Sequence, residues 1–409
     1  MMPTTDFVLP GLVNAHSHAF QRAMAGLAER QTHPGDSFWT WREQMYRYAG
    51  LIEPGDLQAI AAQLYVEMLK AGYTTVCEFH YLHHQRDGHP YADVAAMSRA
   101  LMAAAEEAGI GLCLLPVLYM QGGFDGRALA AHQQRFGHEV DAFLGLIEIL
   151  RRDESDAMQV GIALHSLRAV SPLAMAAVLA AEAGTDRPIH IHIAEQIAEV
   201  EECLLLRGTR PVSWLLEHVA VDARWTLVHA TQLSAPEVQA IADTNATVCL
   251  CPTTEANLGD GLFPLPGYIA ANGRFSIGSD SHISVSPVEE LRWLEYGQRL
   301  QVRGRNIAVD AEEKSVGRFL FDRALAGGRY SAGARIAGNT STVTLNAAHP
   351  LLAARTQEQL LDTWIFSGNV PLIREVVVGG RSIVCAGMHV DEERIARRYV
   401  DTVQRLARS

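Results

Sequence analysis

Short, almost uninterrupted apolar runs alternate along this chain with longer stretches in which apolar residues return every three or four positions. The runs are "FVLPGLVNAH" (7–16), "YTTVCEFHY" (73–81), "GLCLLPVLY" (111–119), "VGIALHSL" (160–167), "RPIHIHIAE" (187–195), "RWTLVHAT" (224–231), "ATVCLCPTT" (246–254) and "RFSIGSDS" (274–281). Such runs, bounded by turn residues and lacking polar alternation, predict strands buried on both faces. Between them, "DLQAIAAQLYVEMLKAG", "ADVAAMSRALMAAAEEAG" and "SPLAMAAVLAAEAG" carry helical spacing and close on a glycine suited to a left-handed C-cap. Eight strand–helix units in succession predict an α/β fold, a (β/α)8 barrel of TIM type. No GxGxxG or GxxxxGK[ST] follows a strand, which removes the usual reason to prefer an open doubly wound sheet.

The pattern changes after residue 330. "SAGARIAGNTSTVTLNAAHP" is small and polar, "DTWIFSG" and "REVVVGGRSIVCAG" read as strands, and "RIARRYVDTVQRLARS" reads as an amphipathic surface helix. The expected division is a barrel over 7–335, the remnant of a small β-sandwich over 336–390 and a C-terminal helix over 391–409. With so little chain before the first barrel strand, the late strands are expected to be short of partners and to expose edges.

Composition narrows the function. The net charge of −12 across 409 residues, with no basic tract, speaks against nucleic acid. No run approaches the roughly 18 apolar residues that span a bilayer, and no basic-then-apolar leader opens the chain, so a cytoplasmic protein is expected. Six scattered cysteines resemble core residues of a reducing compartment, and the CxC of Cys249 and Cys251, inside a strand pattern, is assigned to packing.

In barrels of this type chemistry gathers at the C-terminal ends of the strands. The first predicted strand ends in "NAHSHAFQ", where alternation aims His16 and His18 the same way, roughly 7 Å apart along the backbone. The fifth ends in His192 with Glu195 just beyond, the sixth in His229 and the eighth in Asp280, while the second offers Tyr81 and the fourth His165 and Arg168. One histidine on an apolar strand is ordinarily a core residue, and His190, deeper than His192, is assigned that way. Several titratable groups at coordinated strand ends point instead to a metal site. The remaining histidines, His33, His83, His138, His282 and His389 among them, are taken as solvated or incidental.

The order HxH, His, His, Asp at these strand ends resembles the amidohydrolase superfamily. The strings "NAHSHAFQRAMAGLAE", "SFWTWREQMYR", "EFHYLHH", "HSLRAV", "HIHIAEQ", "CPTTEANLGDG", "GSDSH" and "VEELRWLEYGQRL" are similar, more narrowly, to the formimidoylglutamate deiminases of histidine degradation. The resemblance implies one Zn²⁺ per subunit, or another divalent ion, held by His16, His18, His192 and Asp280, with a metal-activated hydroxide as the nucleophile. It implies Glu195 as proton carrier, Asp280 as proton acceptor and His229 as hydrogen-bond partner of the attacking oxygen or the developing charge. It assigns Gln21, Arg42, Tyr81, His165 and Arg168 to a small substrate bearing two carboxylates, and it implies a homodimer. Two other functions stay open: a related zinc-dependent aminohydrolase acting on a heterocycle, which would have little use for two guanidinium groups, and a non-catalytic barrel scaffold. The stretch "TTEANLGDGLFPLPG" is expected to cover the pocket.

Overall fold

Parallel pairing carries the chain around a barrel. The computed structural model describes residues 6–31, 38–337 and 340–408. Its strands are β1 (Phe7–Pro10), β2 (Leu12–Ser17), β3 (Tyr73–His80), β4 (Gly111–Leu118), β5 (Met158–Val160), β6 (Ile162–Ser166), β7 (Ile189–Ile193), β8 (Trp225–His229), β9 (Thr247–Leu250), β10 (Arg274–Ile277), β11 (Thr342–Leu345), β12 (Ile373–Val378), β13 (Arg381–Cys385) and β14 (Met388–His389). The barrel order is β2-β3-β4-β6-β7-β8-β9-β10, every pair parallel, with the short β5 attached to β4. Burial on both faces is the reason these strands read as continuous apolar runs: β2, β3, β4, β7, β8 and β9 are buried at every position.

Closure of the barrel is made just past the strands themselves. Ser17 and Asp280 form a parallel bridge, the His18 N–H donates to Asp280 O (3.2 Å) and the Asp280 N–H to His16 O (3.0 Å). Asn14 reinforces the seam: its Nδ2 donates to Ser279 Oγ (2.6 Å) and its Oδ1 accepts from the Ser279 N–H (3.0 Å). Gly278 permits this approach, because a Cβ there would lie 2.7–2.9 Å from His16 Cβ, N and O. The opposite end of the barrel is stoppered by the helix Val316–Ala332. His190 Nε2 donates to Ser331 O (2.9 Å), and the Ser331 hydroxyl meets Thr226 (3.0 Å) and Ser276 (3.4 Å) from two other strands. His190 is therefore the buried structural residue its depth suggests.

The helices begin as their sequences dictate. Glu53 and Asp56 form a capping box for Pro54–Ala71, and Ser171 and Ser286 cap Pro172–Ala181 and Pro287–Val302, each with proline in the first turn. Among the described residues no helix is long and apolar enough to cross a membrane.

Four expectations need correction. The run 7–16 is not one strand: it breaks at Gly11, and β1 leaves the barrel to pair antiparallel with β11. The small sheet thereby gains a strand and runs β1-β11-β12-β13-β14, so its late strands are paired rather than lacking partners. "DTWIFSG" is not a strand: Leu360–Phe366 is helical and buries Leu360, Leu361, Trp364 and Ile365, an i, i+1, i+4, i+5 stripe. His83, His138, His282 and His389 are buried rather than solvated, and His33 lies outside the described residues.

Adding a methyl at Gly278 must push β10 from β2. Gly278→Ala is expected to cost about 1–3 kcal/mol of stability by overpacking and to lower bound metal. Thermal unfolding and metal analysis of the purified variant check this; an unchanged melting temperature would refute it.

Candidate active site

Side chains at the strand ends converge on the barrel axis. His16 and His18 occupy alternate positions at the end of β2, and His192 reaches them from β7. Their Nε2 atoms nearly touch: His16 to His18 at 3.1 Å and His16 to His192 at 2.9 Å. Two of the rings are fixed from behind, His18 Nδ1 donating to Phe79 O (2.9 Å) and His192 Nδ1 to His165 O (3.1 Å). With those protons committed, both Nε2 lone pairs face His16, a crowd of donors that a cation would relieve. Burial holds His18 down to about 3 and lowers His16 and His192 as well, with neighbouring imidazoles adding to the effect. Neutral imidazoles are the form that ligates metal. The Asp280 Oδ1 completes the group at 3.5 Å from His16 and 3.4 Å from His18.

A second cluster surrounds His229. Its Nδ1 meets Glu255 Oε1 (3.3 Å), and its Nε2 lies 3.8 Å from Glu195 Oε1 and 3.7 Å from Asp280 Oδ2. Burial alone would lower this imidazole, but Glu195, Glu255 and Asp280 outweigh it and hold its pKa well above the ordinary value. Burial raises Asp280 to about 7, with Glu195 and Glu255 adding and His229 opposing. Both residues have left-handed backbones, φ 68° at His229 and 47° at Asp280, and so does Ala194 beside Glu195 (φ 50°). Non-glycine residues pay of order 1 kcal/mol or more for this conformation, and here it marks where strands turn over the cluster.

The cluster opens into a cleft. Gln21, Arg42, Tyr81, His165 and Arg168 all line it, together with His18, His192, Glu195, His229 and Asp280. Gln21 Nε2 donates to the Tyr81 hydroxyl (2.8 Å). Burial works against the charge on Arg168, yet Glu199 above all, with Glu195 and Glu202, keeps it charged, and its buried Nε has no hydrogen-bond partner among the described residues. Of the stretch expected to cover the pocket, Thr254 and Leu258 of the helix Pro252–Leu258 line the cleft.

Comparison with known proteins decides the family. The model of the amidohydrolase family matches residues 7–314. The chain belongs to the amidohydrolase family. It is 51% identical over 405 residues to a formimidoylglutamate deiminase of Pseudomonas aeruginosa, covering 98% of this chain and 89% of the relative. An 8-oxoguanine deaminase of the same organism is 27% identical, covering 74% of this chain and 66% of that one. Among solved structures, an amidohydrolase from Brucella melitensis superposes with a TM-score of 0.93 at 44% identity, covering 98% of this chain and 90% of that one. An atrazine chlorohydrolase of Arthrobacter aurescens TC1, complexed with zinc, shares the fold at a TM-score of 0.80 and 21% identity, covering 97% and 88% of the two chains.

Within this amidohydrolase several participants escape a reading of strand ends. Glu255, which faces His229, belongs to the helix after β9, and only its place in "CPTTEANLGDG" signals it. Trp41, Met45 and Tyr46 reach the cleft from the helix Phe38–Ala49, far from any strand. Glu78 lies beneath the cluster, accepting from Ser17 Oγ (2.6 Å), Tyr65 OH (3.2 Å) and the Ala19 N–H (2.7 Å), and so secures the backbone on both sides of His18.

If the three imidazoles and Asp280 hold the metal, His192→Ala removes a ligand from a site with none to spare. Elemental analysis of the purified variant is expected to find roughly a tenth or less of the parent's tightly bound metal; equal loading of both proteins would refute this.

Proposed function

We propose that this hydrolase converts N-formimidoyl-L-glutamate and water to N-formyl-L-glutamate and ammonia, a reaction of histidine degradation. The identity to a formimidoylglutamate deiminase over nearly the whole chain supports this reaction. The observation that carries it is the presence of two guanidinium groups, Arg42 and Arg168, in the same cleft as the imidazole–carboxylate cluster. A substrate with two carboxylates uses both, since guanidinium pairs carboxylate through parallel N–H donors. A neutral heterocycle has no such need.

His16, His18, His192 and Asp280 would hold one Zn²⁺, or a similar divalent ion, whose Lewis acidity lowers the pKa of water toward neutrality. In the reaction the oxygen of water bonds to the formimidoyl carbon and the bond to the terminal nitrogen breaks. Both protons of the water finish on that nitrogen, which leaves as ammonia. Asp280 is placed to take the first proton, because its Oδ2 is turned toward His229 while its Oδ1 lies against His16 and His18. Glu195, buried at the cleft's edge beside His229, carries a proton to the leaving nitrogen. His229, whose pKa the three surrounding carboxylates raise, donates to the oxygen on which negative charge develops. Arg42 and Arg168 clamp the glutamate moiety, while Gln21, Tyr81 and His165 shape the wall between clamp and cluster.

Two substitutions separate these roles. Glu195→Gln, with metal content equal to the parent's, is expected to slow ammonia release roughly 10²–10⁴-fold, the usual share of a proton carrier. Arg168→Met is expected to raise KM roughly 10–100-fold, the worth of a charge-assisted contact, with a smaller change in kcat. A metal-loaded parent releasing no ammonia from N-formimidoyl-L-glutamate would overturn the assignment.

A further inference from the structure

Behind the wall of the cleft lies a buried glutamine that belongs to no strand end. Gln133 sits on the 3₁₀ helix Ala131–Phe136, between β4 and β5. Its amide joins two phenols: Nε2 donates to the Tyr119 hydroxyl (2.9 Å) and to the Tyr46 hydroxyl (3.3 Å). Its Oε1 accepts from the Ala130 N–H (3.0 Å) at the start of its own helix. Both tyrosines line the cleft, with Gln133 standing behind them. They arrive from unrelated elements, Tyr46 from the helix Phe38–Ala49 and Tyr119 from the residue after β4. Each packs against a residue assigned to the substrate. The guanidinium carbon of Arg42 lies 5.2 Å from the centre of the Tyr46 ring, and the His165 ring meets the Tyr119 ring edge-on at 4.4 Å.

We propose that Gln133 is a positioning residue for substrate binding, acting through Tyr46 on Arg42 and through Tyr119 on His165. The two N–H bonds of one planar amide diverge at a fixed angle, so together they set the separation of the two hydroxyls. Moving either ring away leaves a buried donor unpaired, which resists the movement. The support beneath Gln133 is rigid as well. Its neighbour Arg135 donates to the carbonyls of His84 (2.9 Å), Ile52 (2.9 Å) and Ala49, the last at the end of the helix that carries Tyr46. A dicarboxylate must be met at both ends at once, so the placement of Arg42 counts for as much as its charge. The side-chain hydrogen bonds of Gln133 run to Tyr46, Tyr119 and Ala130 and to none of the groups assigned to proton transfer. Binding therefore suffers before chemistry when the amide is lost. That Arg42 and His165 face the substrate rests on the proposed function; the link between the two phenols does not.

The test compares the metal-loaded parent with Gln133→Met, which keeps the length of the side chain and removes its amide. Two quantities are read: steady-state kinetics on N-formimidoyl-L-glutamate and calorimetric affinity for N-formyl-L-glutamate, a dicarboxylate that needs no turnover to bind. KM and the dissociation constant are each expected to rise about tenfold, with a smaller change in kcat. A mutant cycle separates the link between the phenols from the bond to Ala130. Once Tyr46→Phe and Tyr119→Phe have removed both hydroxyls, adding Gln133→Met is expected to weaken binding little further. A loss of the same size with and without the hydroxyls would overturn the proposal. So would unchanged KM and affinity in Gln133→Met, or a fall in kcat alone. If Gln133→Met does not fold, Tyr46→Phe and Tyr119→Phe singly carry the test: each is expected to raise KM, and unchanged KM in both would refute the role. Were the parent to release no ammonia, the functional reading would fail while the affinity for N-formyl-L-glutamate still decided the role of Gln133. A parent that neither turns over nor binds would overturn both.

Discussion

Everything at the active end of this barrel depends on one seam. β2 and the segment after β10 are joined by two backbone hydrogen bonds, His18 N–H to Asp280 O and Asp280 N–H to His16 O. The residues that close the barrel are thus the residues that converge in the cluster. Packing of the barrel and placement of the donors are a single event, stabilised by the same burial. Asn14, Ser279 and Gly278 belong to this seam as much as the histidines do, although none of them offers a donor to the cluster.

The electrostatics divide along the Asp280 carboxylate. On one side neutral imidazoles present lone pairs, kept uncharged by burial and by mutual repulsion. On the other, three carboxylates around His229 raise its pKa well above the ordinary imidazole value against the opposing effect of burial. Two opposite electrostatic environments therefore share one residue. The left-handed backbone at Ala194, His229 and Asp280 is the conformational strain of turning short loops over so small a volume.

Much of this was legible in the chain. The eight strands were visible because strands buried on both faces cannot alternate, and His16, His18, His192 and Asp280 stood out because polar groups at the ends of such strands have no packing rationale. Glu195, His229, Arg168 and His165 followed from the same rule, and all of them share the cleft. What was hidden lies where sequence-local signals fail. "DTWIFSG" has strand-like composition, yet its apolar stripe finds a partner only as a helix. β1 looks continuous with β2 because each is apolar, and only the pairing with β11, supplied from the far end of the chain, separates them. Trp41 and Tyr46 enter the cleft, and Glu255 reaches His229, from helices whose approach is set by tertiary packing, which no local pattern encodes.

The seam also fixes when the site can come into being. Asn14 and Ser279, which lock it, are 265 positions apart in the chain. Closing so long a loop is entropically slow, and contacts of this separation form late in folding. During synthesis His16 and His18 emerge long before Asp280 and must wait for it through seven further barrel strands. The nascent chain therefore presents two of the clustered imidazoles long before Asp280 joins them, and the cluster is completed by finishing the barrel rather than by starting it.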